Sequence, residues 1–426
     1  MARSRPRPCS LKPLRKNRDF LLLQSGQVLS TIGSESTAIA YPLLVLAVTH
    51  SPAKAGIVGF ARLLPWALFG FAAGVVTDRL PRKRVMITGD VVRVFLMTSV
   101  VVVIAVGHIT FAQIAIVAFI EGVMYVFFNI AEIGALRSVV PPQQLPTAAA
   151  AEQARYSTVT LVAPTLGGAL FGVGRMFPFL AGSISPAFSL GTLLAIRTPF
   201  EQAREADDSG WRAQLAEGFR FLWARPFLRS CALIFTWTNL AFEGIILAFI
   251  VIAKRQGLTS TEIGLLIAAF GACSLVGSAA SPFIQKRLSM RAIVLASLWL
   301  QVATAGFLID PSVYVLLACT VPMAFFFPTV NAVVIGYRVA VTPEHLTGRV
   351  NSVARTIALC GAPLGPLIAG VLLGVVSERD TIAILTALLA ALAIIASLLP
   401  SIRNAPSLDE LAGLEPTEPV LPELIG

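Results

Sequence analysis

Twelve stretches of this chain are long and apolar enough to cross a bilayer, and that alone removes nearly every soluble architecture. They fall at about 20–48, 54–77, 85–106, 111–136, 148–173, 177–196, 229–253, 261–284, 291–309, 313–337, 350–376 and 381–400. A hydrocarbon slab about 30 Å thick needs about 20 consecutive apolar residues in a helix, a length that soluble cores seldom sustain without charge. Charged residues are only 13% of the 426 and hydrophobic ones 56%, against about 25% charged in ordinary soluble chains. The runs are continuously apolar rather than alternating, which excludes a transmembrane barrel. The expected fold class is an all-α membrane protein with twelve transmembrane helices.

The first run contains Glu35 and is about twice as long as a signal peptide's apolar region, so it reads as a permanent span. Orientation follows from where Lys and Arg fall. With the amino terminus inside, inside segments hold 24 of the 33 basic residues. Outside loops hold only Lys54, Arg175, Lys254, Arg255 and Arg379, and the rest lie within spans. Both termini are therefore expected in the cytoplasm, with the chain a multi-pass protein of the inner (cytoplasmic) membrane. The net charge of +10 is spent on topology and on the lipid bilayer, and no nucleic-acid partner is expected.

The expected organisation is a basic tail (1–19), a six-helix bundle (20–196), a polar linker (197–228), a second six-helix bundle (229–402) and a Pro/Glu-rich tail (403–426). In the linker, Trp211, Leu215, Phe219 and Leu222 recur at helical spacing. This pattern fits a helix lying at the inner interface with its aromatic side in the headgroups; an irregular linker is the other reading. The five cysteines (Cys9, Cys231, Cys273, Cys319, Cys360) share no metal-type spacing, so no metal site is expected. His50, His108 and His345 fall in loops and read as solvated.

The halves echo each other. Ile133-Gly134, Pro142-Gln143-Gln144-Leu145 and Ala154-Arg155 reappear as Ile335-Gly336, Pro343-Glu344-His345-Leu346 and Ala354-Arg355, 200–202 residues on. Further along, Pro164-Thr165-Leu166-Gly167-Gly168 is echoed by Pro366-Leu367-Ile368-Ala369-Gly370. Two similar bundles around a central site is a transporter architecture, in which one half rocks on the other. Two six-helix halves, with Gly74, Asp78, Arg79, Arg82 and Lys83 in a polar hairpin between spans two and three, resemble the major facilitator superfamily. Pro81 stands where that family usually has Gly. Phe127-Phe128-Asn129, Gly218-Phe219-Arg220-Phe221-Leu222 and Gly348-Arg349-Val350 are similar to its enterobactin- and macrolide-exporter branch. The resemblance implies two pseudo-symmetric bundles in the major facilitator fold, with spans 1, 4, 7 and 10 lining a central cavity.

On that resemblance Asp78 pairs with basic groups across the bundle in the outward-open state, and the hairpin gates as well as setting topology; topology alone is the competing reading. Span five carries Pro164, Gly167 and Gly168, which resemble the last part of the family's antiporter motif. Ala163, Ala150 and Val159 replace its other glycines, and close helix packing is the plainer account.

Ionisable groups at mid-membrane depth are costly, and mark either a pathway or a paired site. Glu35, Glu121 and Glu243 are candidates to exchange a proton for substrate; the alternative is pairing with Arg62, Arg155 or Arg355. Glu132 is expected to pair with one of these arginines, and Asp90 with Arg93 one turn away. Tyr125, Asn129, Asn239, Asn331, Trp237 and Phe325–Phe327 complete a candidate cavity suited to a bulky amphipathic molecule. The functional expectation is a secondary active transporter exporting a small hydrophobic or amphipathic compound, such as an antibiotic, siderophore or secondary metabolite, by proton antiport. An importer of a metabolite, or a membrane sensor or scaffold, are the alternatives. Neither a phosphate-binding loop nor a metal cluster is present in the sequence, so an enzyme is not expected. Nor is a cofactor beyond the coupling proton, and a monomer is expected.

Overall fold

The computed structural model describes residues 14–200 and 211–405. Most of both tails and the centre of the linker, Cys9 among them, lie outside the described residues. Among those described, every regular element is helical. The first half comprises α1 (Arg18–Thr49), α2 (Pro52–Arg79), α3 (Arg82–Val106), α4 (Phe111–Val139), α5 (Leu145–Val173) and α6 (Phe177–Ala195). A linker helix, α7 (Trp211–Ala224), leads to α8 (Pro226–Arg255), α9 (Ser260–Arg287) and α10 (Met290–Val302). Then come α11 (Val313–Val341), α12 (Thr347–Leu359), α13 (Leu364–Val375), α14 (Glu378–Leu398) and the short α15 (Pro400–Arg403). Twelve spans are long and apolar enough to cross a membrane, the eleventh being α12 and α13 together.

Local chemistry sets the helix ends. Asn17, Ser51, Thr110, Ser289 and Ser377 each accept a hydrogen bond from a first-turn amide, satisfying donors that have no partner within the helix. Thr259 and Glu262 form a reciprocal capping box on α9. At the far ends of α3 and α8, Gly107 and Gly257 take φ of 80° and 84°, the left-handed turn that glycine adopts without strain.

The hairpin between spans two and three differs from the sequence expectation. It reads as a polar turn over 74–84, but α2 stays helical through Arg79 and only Leu80 and Pro81 break the path to α3. With one donor-less residue at the break, the polar residues before it remain in the helix. The linker segment forms a helix, α7, with one side packed on the second half. Leu222 is fully buried and Leu215 packs with it against the second half, while Glu217 pairs with Arg349 of α12. Phe219 and Trp223 stack at 5.0 Å on the exposed side.

In the first half α1 packs on α6 and α2 on α4; in the second, α8 packs on α13 and α9 on α11. The halves meet where α5 lies along α9 and α2 along α13, spans five with eight and two with eleven, a pairing with two-fold character. The echoed sequences fold alike, each placing a one-turn 3-10 helix (Pro142–Gln144, Glu344–Leu346) ahead of spans five and eleven.

The core shows which end is closed. At the end far from the termini, one apolar cluster joins Leu44, Val58 and Phe179 of the first half to Phe249, Ile263 and Leu373 of the second. At the terminus-bearing end the clusters are separate: Phe20, Met86, Phe128 and Phe200 in one half, Phe227, Met290, Val350 and Ile402 in the other. The bundles are thus sealed at the far end and parted at the other.

Candidate functional site

Between the parted halves lies a cavity of about 340 Å³. Most of its wall comes from α1, α2, α4 and α5, with α8, α12, the break after α12 and Arg93 of α3 supplying the rest. The break, Cys360–Pro363, follows from Pro363, which has no N–H and crowds the preceding turn. The Ala358 carbonyl loses its helical partner there and accepts from Asn239 Nδ2 of α8 at 3.1 Å, while the Ile357 carbonyl, left with a 3.3 Å bond from the Cys360 N–H, also accepts from Thr236 Oγ1 at 2.6 Å. Backbone in a bilayer must be satisfied internally, and α8 does this with two side chains.

The first half's charges are largely closed on themselves. Arg155 donates to Glu132 at 2.8 Å and to Glu152 at 2.5 Å, and also to Thr31. Gln24 donates to the second oxygen of Glu152. Arg93 lies 3.4 Å from Asp90 and donates to Ser30 and Ser34. Arg62 faces Glu121 at 3.7 Å, beyond hydrogen-bond length but close enough for charge compensation. Among the described residues Glu35 has one hydrogen bond, a long one of 3.5 Å from Tyr125.

The second half differs. Glu243 lines the cavity with no ion pair or hydrogen bond to its carboxylate among the described residues. Arg355, on α12 of the same half, reaches across to lie over the Trp66 ring at 4.6 Å and donates to Asn129 at 3.3 Å. It was expected in an ion pair, yet no carboxylate lies within 4.0 Å of it among the described residues.

Other expected residues fall elsewhere. Span ten, α11, gives nothing to this cavity. Asn331 is half-buried away from it, and Phe327 lines a separate pocket of about 40 Å³ within the second half; Phe325 and Phe326 meet edge to face at 5.8 Å outside the main cavity. Thr329, Val330, Val333 and Val334 turn α11 into its own half's core. Trp237 is 46% exposed, because residues two apart on a helix do not share a face and Asn239 and Glu243 hold the cavity side of α8. Asn239 is chiefly engaged with the broken helix.

Of the hairpin residues, Lys83 donates to the carbonyl of Ile196 at 2.7 Å, where α6 ends. Arg82 reaches the carbonyl of Gly134 at 3.3 Å, and Arg79 is exposed. Added Cβ atoms would meet nothing within 4 Å at Gly74. The Asp78 side chain lies outside the described residues. In span five, Gly167 is pressed on the Ser36 backbone of α1, whereas Gly168 is pressed on Ser260 and Gly264 of α9, across the seam. Pro164 sits inside α5, and its carbonyl lies 2.4 Å from where a Cβ on Gly264 would fall.

Sequence reasoning passed over Glu152, which has a signal in its three-residue spacing from Arg155. It also missed Gln27, Ser30, Thr31 and Trp66, whose place on the wall depends on helix rotation.

Two packed six-span bundles, sealed at one end around a polar chamber, define a polytopic carrier of the major facilitator type. The chain belongs to the transmembrane secretion effector family, whose model matches residues 8–424. It is 26% identical over 405 residues to the multidrug efflux pump Tap of Mycolicibacterium fortuitum, covering 91% of this chain and 97% of that one. It is 23% identical over 395 residues to macrolide efflux protein A of Streptococcus pyogenes, covering 90% and 96%. A bacterial homologue of the iron transporter ferroportin shares the fold. In its inward-facing state the TM-score is 0.69 at 17% identity, covering 90% of this chain and 98% of that one; in its outward-facing state the TM-score is 0.60.

Proposed function

We propose that this protein is a proton-driven exporter of small hydrophobic or amphipathic compounds, working as a monomer in the cytoplasmic membrane with both termini in the cytoplasm. The sealed end then faces outward and the cavity is loaded from the cytoplasmic side. The observation that carries the reading is Glu243, a carboxylate on the chamber wall with no partner among the described residues, in a site where the other acids have one. A lone acid at such depth is costly and is retained where it has a ligand or a proton to take. Glu35, held among the described residues only by a long bond from Tyr125, is the second candidate.

In the present state Glu243 releases its proton to the cytoplasm and substrate enters. After the halves rock, substrate leaves outward and the acid is reprotonated from outside. Because the two cargoes travel in opposite directions, the proton gradient drives export. The names of the relatives, a multidrug efflux pump and a macrolide efflux protein, support export over uptake.

The test is reconstitution in proteoliposomes with an imposed pH gradient and a panel of fluorescent amphiphiles. Glu243→Gln is expected to abolish gradient-driven accumulation while still exchanging substrate down its own gradient. Full pH-driven transport by both Glu243→Gln and Glu35→Gln refutes proton coupling at these acids.

A further inference from the structure

Arg155 and Arg355 are equivalent residues of the internal repeat, 200 positions apart, each following Ala in the same helix of its half. Their surroundings differ. Arg155 is neutralised by Glu132 and Glu152. At the repeat-equivalent positions the second half has Val334, two residues before the pair-matched Gly336, and Ser352, three before Arg355. The second half has kept the cation and lacks both counter-ions. Val334 is buried, and Ser352 turns its hydroxyl to the Gly348 carbonyl of its own helix at 2.9 Å.

Arg355 is also open to the chamber. Its contacts are the Trp66 face and the Asn129 side-chain oxygen, which orient the guanidinium without cancelling its charge. The phenols of Tyr125 and Tyr156 line the same chamber and, uncharged at neutral pH, leave its charge uncompensated. A planar, always charged fork held by an aromatic face is the arrangement best matched to a carboxylate, which it can engage with two parallel hydrogen bonds.

We propose that Arg355 anchors an acidic group on the transported compound, so that this chamber selects amphipathic molecules bearing a carboxylate. The inference rests on the reading of the cavity as a substrate chamber. The ligand supplies the counter-ion that Glu132 and Glu152 supply to Arg155, while Trp66 and Tyr125, in edge contact at 6.4 Å, offer the aromatic wall for its apolar body.

The test is equilibrium binding of N-dansyl-phenylalanine and of its methyl ester to purified protein in lipid nanodiscs. The two probes differ in one charge. The wild type is expected to bind the acid about 10- to 100-fold more tightly than the ester, as for loss of one charge-assisted hydrogen-bonded pair. Arg355→Gln, which keeps a donor for Asn129, brings that ratio close to one, and Arg355→Lys retains part of it. A wild type without preference for the acid overturns the proposal, whatever the variants do, and so does a preference that survives Arg355→Gln. Binding is read without a proton gradient. Preference for the acid without pH-driven movement of either probe therefore supports the Arg355 assignment and refutes the proton-driven export reading.

Discussion

Adding one methyl group at Gly168 should push the carrier towards its other conformation. A Cβ there falls 2.3 Å from the Ser260 carbonyl oxygen and 2.8 Å from the Gly264 Cα. Both neighbours are backbone of α9, in the other half, so neither can rotate away; the seam itself has to part. Overpacking of this kind costs about 1–3 kcal/mol. In a state with the far end open the same methyl meets water, so the whole penalty falls on the present state. That corresponds to a shift of about 5- to 150-fold in the equilibrium. Gly167→Ala is the control. Its Cβ comes 2.6 Å from the Ser36 oxygen, but α1 belongs to the same half, so the variant loses stability without a conformational bias.

The reporter is Ser260→Cys, 5% exposed in the seam, in a chain whose five native cysteines are replaced by serine. Labelling by a membrane-impermeant maleimide from the far side then reports the open fraction. Gly168→Ala should raise the labelling rate by that factor. Gly370→Ala should do likewise, since its Cβ lies 2.6 Å from the Pro52 oxygen across the second seam. Gly167→Ala should leave the rate unchanged while lowering the melting temperature. An unchanged rate in Gly168→Ala, or an equal rise in Gly167→Ala, refutes the reasoning.

Arg155→Ala strands Glu132 and Glu152 without their cation and should cost about 3–5 kcal/mol, read as a large drop in Tm in nanodiscs. Glu132→Gln, which leaves the Glu152 pair, should cost distinctly less. Asn239→Leu leaves the Ala358 carbonyl at the broken helix without its donor, for about 1–3 kcal/mol, whereas Thr236→Val leaves the Ile357 carbonyl its Cys360 N–H and should cost less; hydrogen exchange at 360–365 should accelerate more in Asn239→Leu than in Thr236→Val. Glu217→Ala removes a pair whose side chains are 46% and 25% exposed, so its effect on Tm should be near zero, under about 1 kcal/mol.

The twelve spans and the repeat were legible in the sequence because both are written in long-range pattern. Length of apolar run marks a span whatever its neighbours are, and the echo between 133–155 and 335–355 folds into the same turn ahead of the same helix in each half. The cavity wall was less legible. Asn331 and Trp237 sit at suitable depths, but depth does not fix rotation, and α11 turns its valines inward while α8 offers Asn239 and Glu243. Trp66 was hidden in an otherwise apolar run, where an aromatic residue carries no mark that it faces water. Arg355 was recognisable as a cation within a span, yet the choice between ion pair and free charge depends on what the other half brings near it.

The distribution of charge bears on how the halves can rock. The ion pairs Arg155 with Glu132 and Glu152, Arg93 with Asp90, and Arg62 with Glu121 are each confined to the first half. Rotation of one bundle against the other leaves such pairs intact, so their desolvation cost is the same in both conformations and cancels from the equilibrium. What changes is the far-end seam, built from glycine contacts and apolar side chains, and the reach of Arg355 across to Asn129 and Trp66. A wall whose charges, Glu35 apart, are paired within their own half therefore faces a wall with an open carboxylate and an open guanidinium. Ligand and proton act on the second wall, where differential affinity between the two states can arise. Shifts in the equilibrium should accordingly track substitutions at Glu243, Arg355 and the seam glycines more than those in the first half's ion pairs.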